Sequence, residues 1–179
     1  LSLNNNNNLQ RPNDNRINDS ATITLRGGTI TFNGAVGDVT TETVGALSAL
    51  QGANTVGVTT SYGSSSVALA ELTFNGGLTR SVGSTVNFTS NVQLGTGGNQ
   101  TKILFNDPLS TVLGGALGGW AIANSTDFAA YNNAIGVGVV GTGGFVIGNL
   151  LSGNQQGGNR VDQRRFSRTD VAGQQQIVA

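Results

Sequence analysis

The chain has 179 residues, nine of them basic and nine acidic, and contains no His, Cys or Met. That composition excludes His-based triads, Cys nucleophiles, disulfides and thiolate metal sites, and zero net charge leaves no field to recruit nucleic acid or an anionic membrane. Only 10% of the residues are charged, against about a quarter in ordinary globular chains, so Asn, Thr, Ser and Gln supply the polar surface.

Three zones follow one another. Residues 1–20 are a polar, Asn-rich N-terminal segment with an Asn run at Asn4–Asn8, then Arg11 and Pro12, then alternating Asn and Asp. Residues 21–150 carry short β-branched runs: Ile23–Leu25, Thr29–Phe32, Asn54–Val58, Glu71–Phe74, Thr85–Phe88 and Lys102–Phe105. Each run is bounded by Gly, Asn or Ser, the punctuation of strands, and none has helical periodicity. Residues 151–179 are a Gln/Gly/Arg-rich extension in which Arg160, Arg164, Arg165 and Arg168 interleave with Asp162 and Asp170. No run approaches the roughly 18 apolar residues of a membrane span; Ala134–Val140 is apolar but broken by Gly136 and Gly138, so no membrane insertion is expected. A chain without Met even at position 1 reads as a processed product or an excised piece.

The middle zone repeats weakly. Thr-Phe-Asn-Gly stands at Thr31–Gly34 and at Thr73–Gly76, and apolar centres at Ile23, Val44, Val67, Val86, Ile103 and Ile122 are spaced 17 to 23 residues apart. This spacing predicts one rung per about 21 residues of a parallel β-solenoid, each rung burying its apolar side against its neighbours. A sandwich of antiparallel strands is the competing reading, with Asn33-Gly34 and Asn75-Gly76 as hairpin turns. In the solenoid, alternation sends Ile23, Ile30, Phe32, Val44, Leu69, Phe74, Val86, Phe88, Ile103 and Phe105 into one column.

An ordered series of segments carries a family resemblance. It begins with Asn15-Arg16-Ile17-Asn18-Asp19, Ala21-Thr22-Ile23-Thr24-Leu25 with Gly27-Gly28, Glu42-Thr43-Val44-Gly45-Ala46-Leu47 and Gly52-Ala53-Asn54-Thr55-Val56. It continues with Leu78-Thr79-Arg80-Ser81, Gly83-Ser84-Thr85-Val86-Asn87-Phe88, Leu94-Gly95-Thr96-Gly97 and Lys102-Ile103-Leu104-Phe105. It closes with Gly118-Gly119-Trp120-Ala121 and Asp127-Phe128-Ala129-Ala130-Tyr131. In this order, over residues 15–131, the chain resembles the autotransporter-associated β-strand repeat family of secreted bacterial surface proteins. The resemblance implies an all-β fold, a single-stranded right-handed parallel β-helix with irregular polar ends. It also implies export from the cell and a stalk-like or adhesive role, and it brings no shared active site. Residues 132–179 depart from the pattern, and no translocator barrel accompanies it in this sequence.

Candidate chemistry is sparse. Among the carboxylates Asp38, Glu42, Glu71, Asp107 and Asp127, only Asp38 and Glu42 stand close enough to suggest glycoside chemistry, and solvated loop charges are the plainer reading. Gly136–Gly141 spells GxGxxG, with Asp162 downstream, but Thr142-Gly143-Gly144 follows where a dinucleotide site needs a helix. Gly143-Gly144 and Gly157-Gly158 lack the Asp ligands of calcium-binding repeats. No cofactor, metal or catalytic residue is therefore expected. Trp120 and Tyr131, with Phe128, form a candidate sugar-stacking platform or, more simply, a core plug at the end of the stack. The expected role is structural: an extracellular or cell-surface building block that associates with itself, head to tail or as a tandem array, with glycans or cell-surface components as further partners. Arg16 and Asp19 at one end, and Arg160, Asp162, Arg164, Arg165, Arg168 and Asp170 at the other, are the candidate contacts between copies. The alternatives are a carbohydrate-binding adhesin and a polysaccharide-active β-helix enzyme.

Overall fold

Strand formation follows from alternation of apolar and hydroxyl side chains. In Leu69–Phe74 every second residue (Ala70, Leu72, Phe74) is buried, and Val39–Val44 and Thr101–Phe105 alternate in the same way. Such segments sit on a half-buried pleated surface and nowhere else. The computed structural model describes residues 1–5, 15–61, 69–95, 101–111 and 115–140, all inside one compact unit, Leu1–Val146.

A short strand, β1 (Ser2–Asn4), precedes three circuits of the chain. The first comprises β2 (Ile23–Arg26), β3 (Thr29–Val36) and β4 (Val39–Val44), and the second β5 (Leu47–Gln51), β6 (Ala53–Ser61) and β7 (Leu69–Phe74). The third comprises β8 (Leu78–Arg80), β9 (Thr85–Ser90) and β10 (Thr101–Phe105). Then come β11 (Ala121–Ala123), β12 (Asp127–Asn132) and β13 (Gly136–Val139). Each circuit contributes one strand to each of three sheets, with strand orders β2-β5-β8, β4-β7-β10 and β1-β3-β6-β9-β11-β12-β13. The first two sheets are wholly parallel. The third is parallel from β1 to β11 and antiparallel over β11, β12 and β13.

The chain is thus all-β as expected, with no α-helix among the described residues, but one of its sheets is mixed. The polar N-terminal segment is also less irregular than expected, since Ser2–Asn4 extends the long sheet. Nor is the spacing the expected one. Ile23 pairs with Leu47, Thr29 with Thr55, Val39 with Leu69, Leu47 with Leu78 and Val86 with Ala121, offsets of 24, 26, 30, 31 and 35 residues. The apolar centres mislead because successive ones belong to different sheets: Ile23 lies in β2 and Val44 in β4. The two Thr-Phe-Asn-Gly copies likewise fall in different sheets, on β3 and at the end of β7, and neither Asn-Gly is a hairpin turn. Circuits differ in length because the connections between strands differ: two residues separate β3 from β4, and seven separate β6 from β7.

One hydrophobic cluster fills the interior, and Ile30, Phe32, Val44, Phe74, Val86, Phe88, Ile103 and Phe105 all belong to it, with Ile23 packed against it. Leu69 does not. Alternation counted back from Phe74 turns Ala70 and Leu72 inward and leaves Leu69 in the other phase. Phe74 and Phe105 stack at 4.9 Å between centroids, and Phe105 meets Phe88 and Tyr131 edge to face. Such pairs add about 0.5–1.5 kcal/mol each beyond the area they bury.

Candidate functional site

Besides the threonines Thr40, Thr60 and Thr101, two larger polar side chains, those of Glu42 and Asn54, occupy the inward phase of their strands. Glu42, between Thr40 and Val44 on β4, is fully buried. Its carboxylate accepts the backbone N–H of Ile17 at 2.8 Å and that of Arg16 at 3.0 and 3.1 Å. Residues 15–21 are thereby laid across the N-terminal end of the stack, where Ile17 packs against the core and the Ala21 carbonyl accepts the N–H of Gly45. Asp38 is exposed, and its carboxylate accepts the adjacent Val39 N–H at 2.8 Å. The two carboxylates weighed as a glycoside pair therefore lie in different environments; Asp38 is the solvated charge expected of it, and Glu42 is not.

Asn54 is the second of the two. Its carbonyl accepts the N–H groups of Gly27 (2.8 Å) and Gly28 (3.3 Å), while its amide reaches the Gln51 and Gly52 carbonyls at 3.2 Å, Ser84 Oγ at 3.0 Å and the Thr85 carbonyl at 3.1 Å. One side chain so ties a corner of the second circuit to the first and the third. Buried amides are tolerated only when satisfied in this way.

The candidate glycan platform does not assemble. Tyr131 is buried, and its hydroxyl donates to the Phe105 carbonyl at 2.7 Å and accepts the Phe105 N–H at 2.9 Å. Burial pushes this phenol above its usual pKa, with the Phe105 backbone hydrogen bond pulling the other way. Phe128 is half exposed and lines a separate cleft of about 200 Å³ with Ile122, Ser125, Thr126 and Asp127. Trp120 is partly buried against the core, away from that cleft. It lines a groove of about 300 Å³ with Leu78, Arg80, Leu109, Ser110 and Leu117. The Arg80 guanidinium lies 5.1 Å over its ring and donates to the Ser81 (3.1 Å) and Ser84 (3.0 Å) carbonyls.

Of the candidate contacts between copies, Arg16 and Asp19 are exposed, and the Arg16 guanidinium donates to the Asn5 side-chain carbonyl. Arg160, Asp162, Arg164, Arg165, Arg168 and Asp170 lie outside the described residues. Gly136–Val139, the start of the GxGxxG run, is strand β13; Gly141, the residues after it and Asp162 lie outside the described residues. Among the described residues no three acidic side chains gather in a metal-binding arrangement, and no helix is long and apolar enough to cross a membrane. Sequence reasoning missed Asn54 and the hydroxyl of Tyr131, and it treated Glu42 as a surface charge. For Asn54 the signal was present, since Asn54, Val56 and Val58 share one phase of β6. Comparison of the chain with protein-family models, with curated proteins and with solved structures yields no significant match.

Proposed function

We propose that this chain is a non-catalytic structural segment of an extracellular stalk or adhesin, built as a right-handed β-solenoid that ends in an antiparallel hairpin. The observation that carries the reading is the parallel pairing of successive circuits in all three sheets, broken only by register shifts at Leu25/Arg26 and Asn33/Val36, around one apolar column. Such a stack transmits load through backbone ladders and presents polar ladders outward. Examples are Thr59 donating to Asn33 at 2.6 Å, Thr79 to Ser48 at 3.2 Å and Asn106 to Asn75 at 2.9 Å. A polysaccharide-active enzyme is the weaker reading because Asp38 and Glu42 do not converge. Of the two modes of self-association, the tandem array is favoured over edge-to-edge fibres, because among the described residues the β4-β7-β10 sheet is covered at both ends of the stack, by residues 15–21 and by β13.

The test is a set of one, two and three tandem copies viewed by electron microscopy, with antibody staining of intact source cells. Rods that lengthen by a constant increment and surface staining are the expected results. Single copies that polymerise into fibres, staining only after permeabilisation, or release of sugars from polysaccharide would sink the reading.

A further inference from the structure

At the end of the third circuit β8 is left as an edge strand. The Gly77 carbonyl accepts the Leu47 N–H and the Ser81 N–H donates to Ala49, so residues 77, 79 and 81 face β5. In a parallel ladder the residues between them turn their N–H and C=O groups to the other side. Those residues are Leu78 and Arg80, and both line the 300 Å³ groove. No strand among the described residues covers this edge. The segment following β10 runs past as Asp107-Pro108-Leu109, and Pro has no N–H to give a ladder.

We infer that the β8 edge is a strand-addition site for an extended peptide of a partner protein, running parallel to β8 and carrying an apolar residue followed two positions later by Asp or Glu. Period 2 places the apolar residue beside Leu78, where Leu109 and Leu117 enclose it, and the acid beside Arg80. Charge complementarity selects the acid: Arg80 is exposed, its hydrogen bonds go to backbone carbonyls, and among the described residues no carboxylate lies within ion-pair distance of it. A second copy fits poorly, because the two ends of the stack share one profile. Among the described residues the β4-β7-β10 sheet is covered at each end, by residues 15–21 and by β13, the long sheet overhangs by β1 at one end and β11 at the other, and the β2-β5-β8 sheet is bare at both. Neither end can plug into the other. A sugar would leave three leucines and four backbone groups unmatched. This inference does not depend on the stalk reading.

Trp120 is the sole tryptophan of the chain, so its fluorescence reports on the groove. The probe is the blocked peptide acetyl-Thr-Ser-Thr-Leu-Thr-Asp-Thr-Ser-amide, titrated into the full chain. The expected result is a saturable change in Trp120 emission. Affinity should drop at least tenfold for the peptide with Lys in place of Asp, and at least fivefold in Arg80→Gln. N-methylation along the peptide should weaken binding at alternate positions only, which needs no change to the protein. Absence of a saturable change, equal binding of the Lys peptide, or N-methylation effects without alternation overturns the inference. Binding of tetragalacturonate in place of the peptide overturns it in favour of an acidic glycan.

Discussion

Strands β10 and β8 end their sheets at the same end of the stack and are finished in opposite ways. On β10, Phe105 turns its N–H and C=O outward, and both are taken by the single hydroxyl of Tyr131. Beside it the chain enters β13 at Gly136, where an added Cβ would lie 2.5 Å from the Ile103 carbonyl oxygen. On β8 the equivalent groups of Leu78 and Arg80 face a groove. A phenol both donates and accepts, so it closes an edge that any second strand could otherwise claim. The difference teaches that an edge is closed by a side chain at a chosen residue, and that an adjacent edge stays available when no such residue is supplied.

The largest expected effect is at the closed edge. Phe105→Ala removes a ring that touches Phe74, Phe88 and Tyr131, and a cost of about 3–5 kcal/mol is expected in urea unfolding. Leu78→Ala, half-buried at the open edge, should cost less than half as much. Equal losses would erase the contrast between the edges. Next comes Gly136→Val, with an expected loss of about 3 kcal/mol, since φ is +80° and the Ile103 backbone cannot yield. Retention of the wild-type midpoint would show that β13 does not press on β10.

Tyr131→Phe keeps the ring and removes the hydroxyl, leaving two backbone groups of Phe105 unpaired at an expected cost of about 1–3 kcal/mol. The same hydroxyl predicts a pH dependence. Its folded pKa is raised above the unfolded value of about 10, so its contribution is complete below pH 10 and is lost as the pH rises through the folded pKa. Wild-type stability should therefore fall on that alkaline side more steeply than that of Tyr131→Phe, as followed by urea midpoints across the pH range; parallel profiles would show that the phenol ionises as freely as in the unfolded chain. The smallest effect is Arg80→Gln. Losing one exposed cation over Trp120 should change stability by no more than about 1 kcal/mol. A larger drop would mean that Arg80 holds the corner itself and that the groove is structural.

The inward residues were legible because period 2 is a local property. Phe32, Phe74, Phe88 and Phe105 each sit in a short alternating run, and each lies in the core. The circuit length was not legible. It depends on which strand of one circuit meets which of the next, and the offset changes by 11 residues between the Ile23–Leu47 and Val86–Ala121 pairs. Glu42 escaped because a lone carboxylate reads as solvated until the N–H groups of Arg16 and Ile17, 26 and 25 residues away, are brought to it. Tyr131 escaped for a similar reason: its partner, Phe105, lies 26 residues back. Leu78 and Arg80 gave no signal at all, since an open edge is defined by what fails to pair with it.

Asn54 has a consequence for how the molecule comes apart. Stacks of repeats ordinarily melt from their ends, because each repeat touches only its neighbours and the coupling is pairwise. Here one amide reaches back 27 residues to Gly27 and forward 31 to Thr85, so the first and third circuits share a single side chain of the second. Stripping either end leaves that amide half satisfied in the interior. Fraying should halt at this corner, and the three circuits should be lost together in one cooperative step.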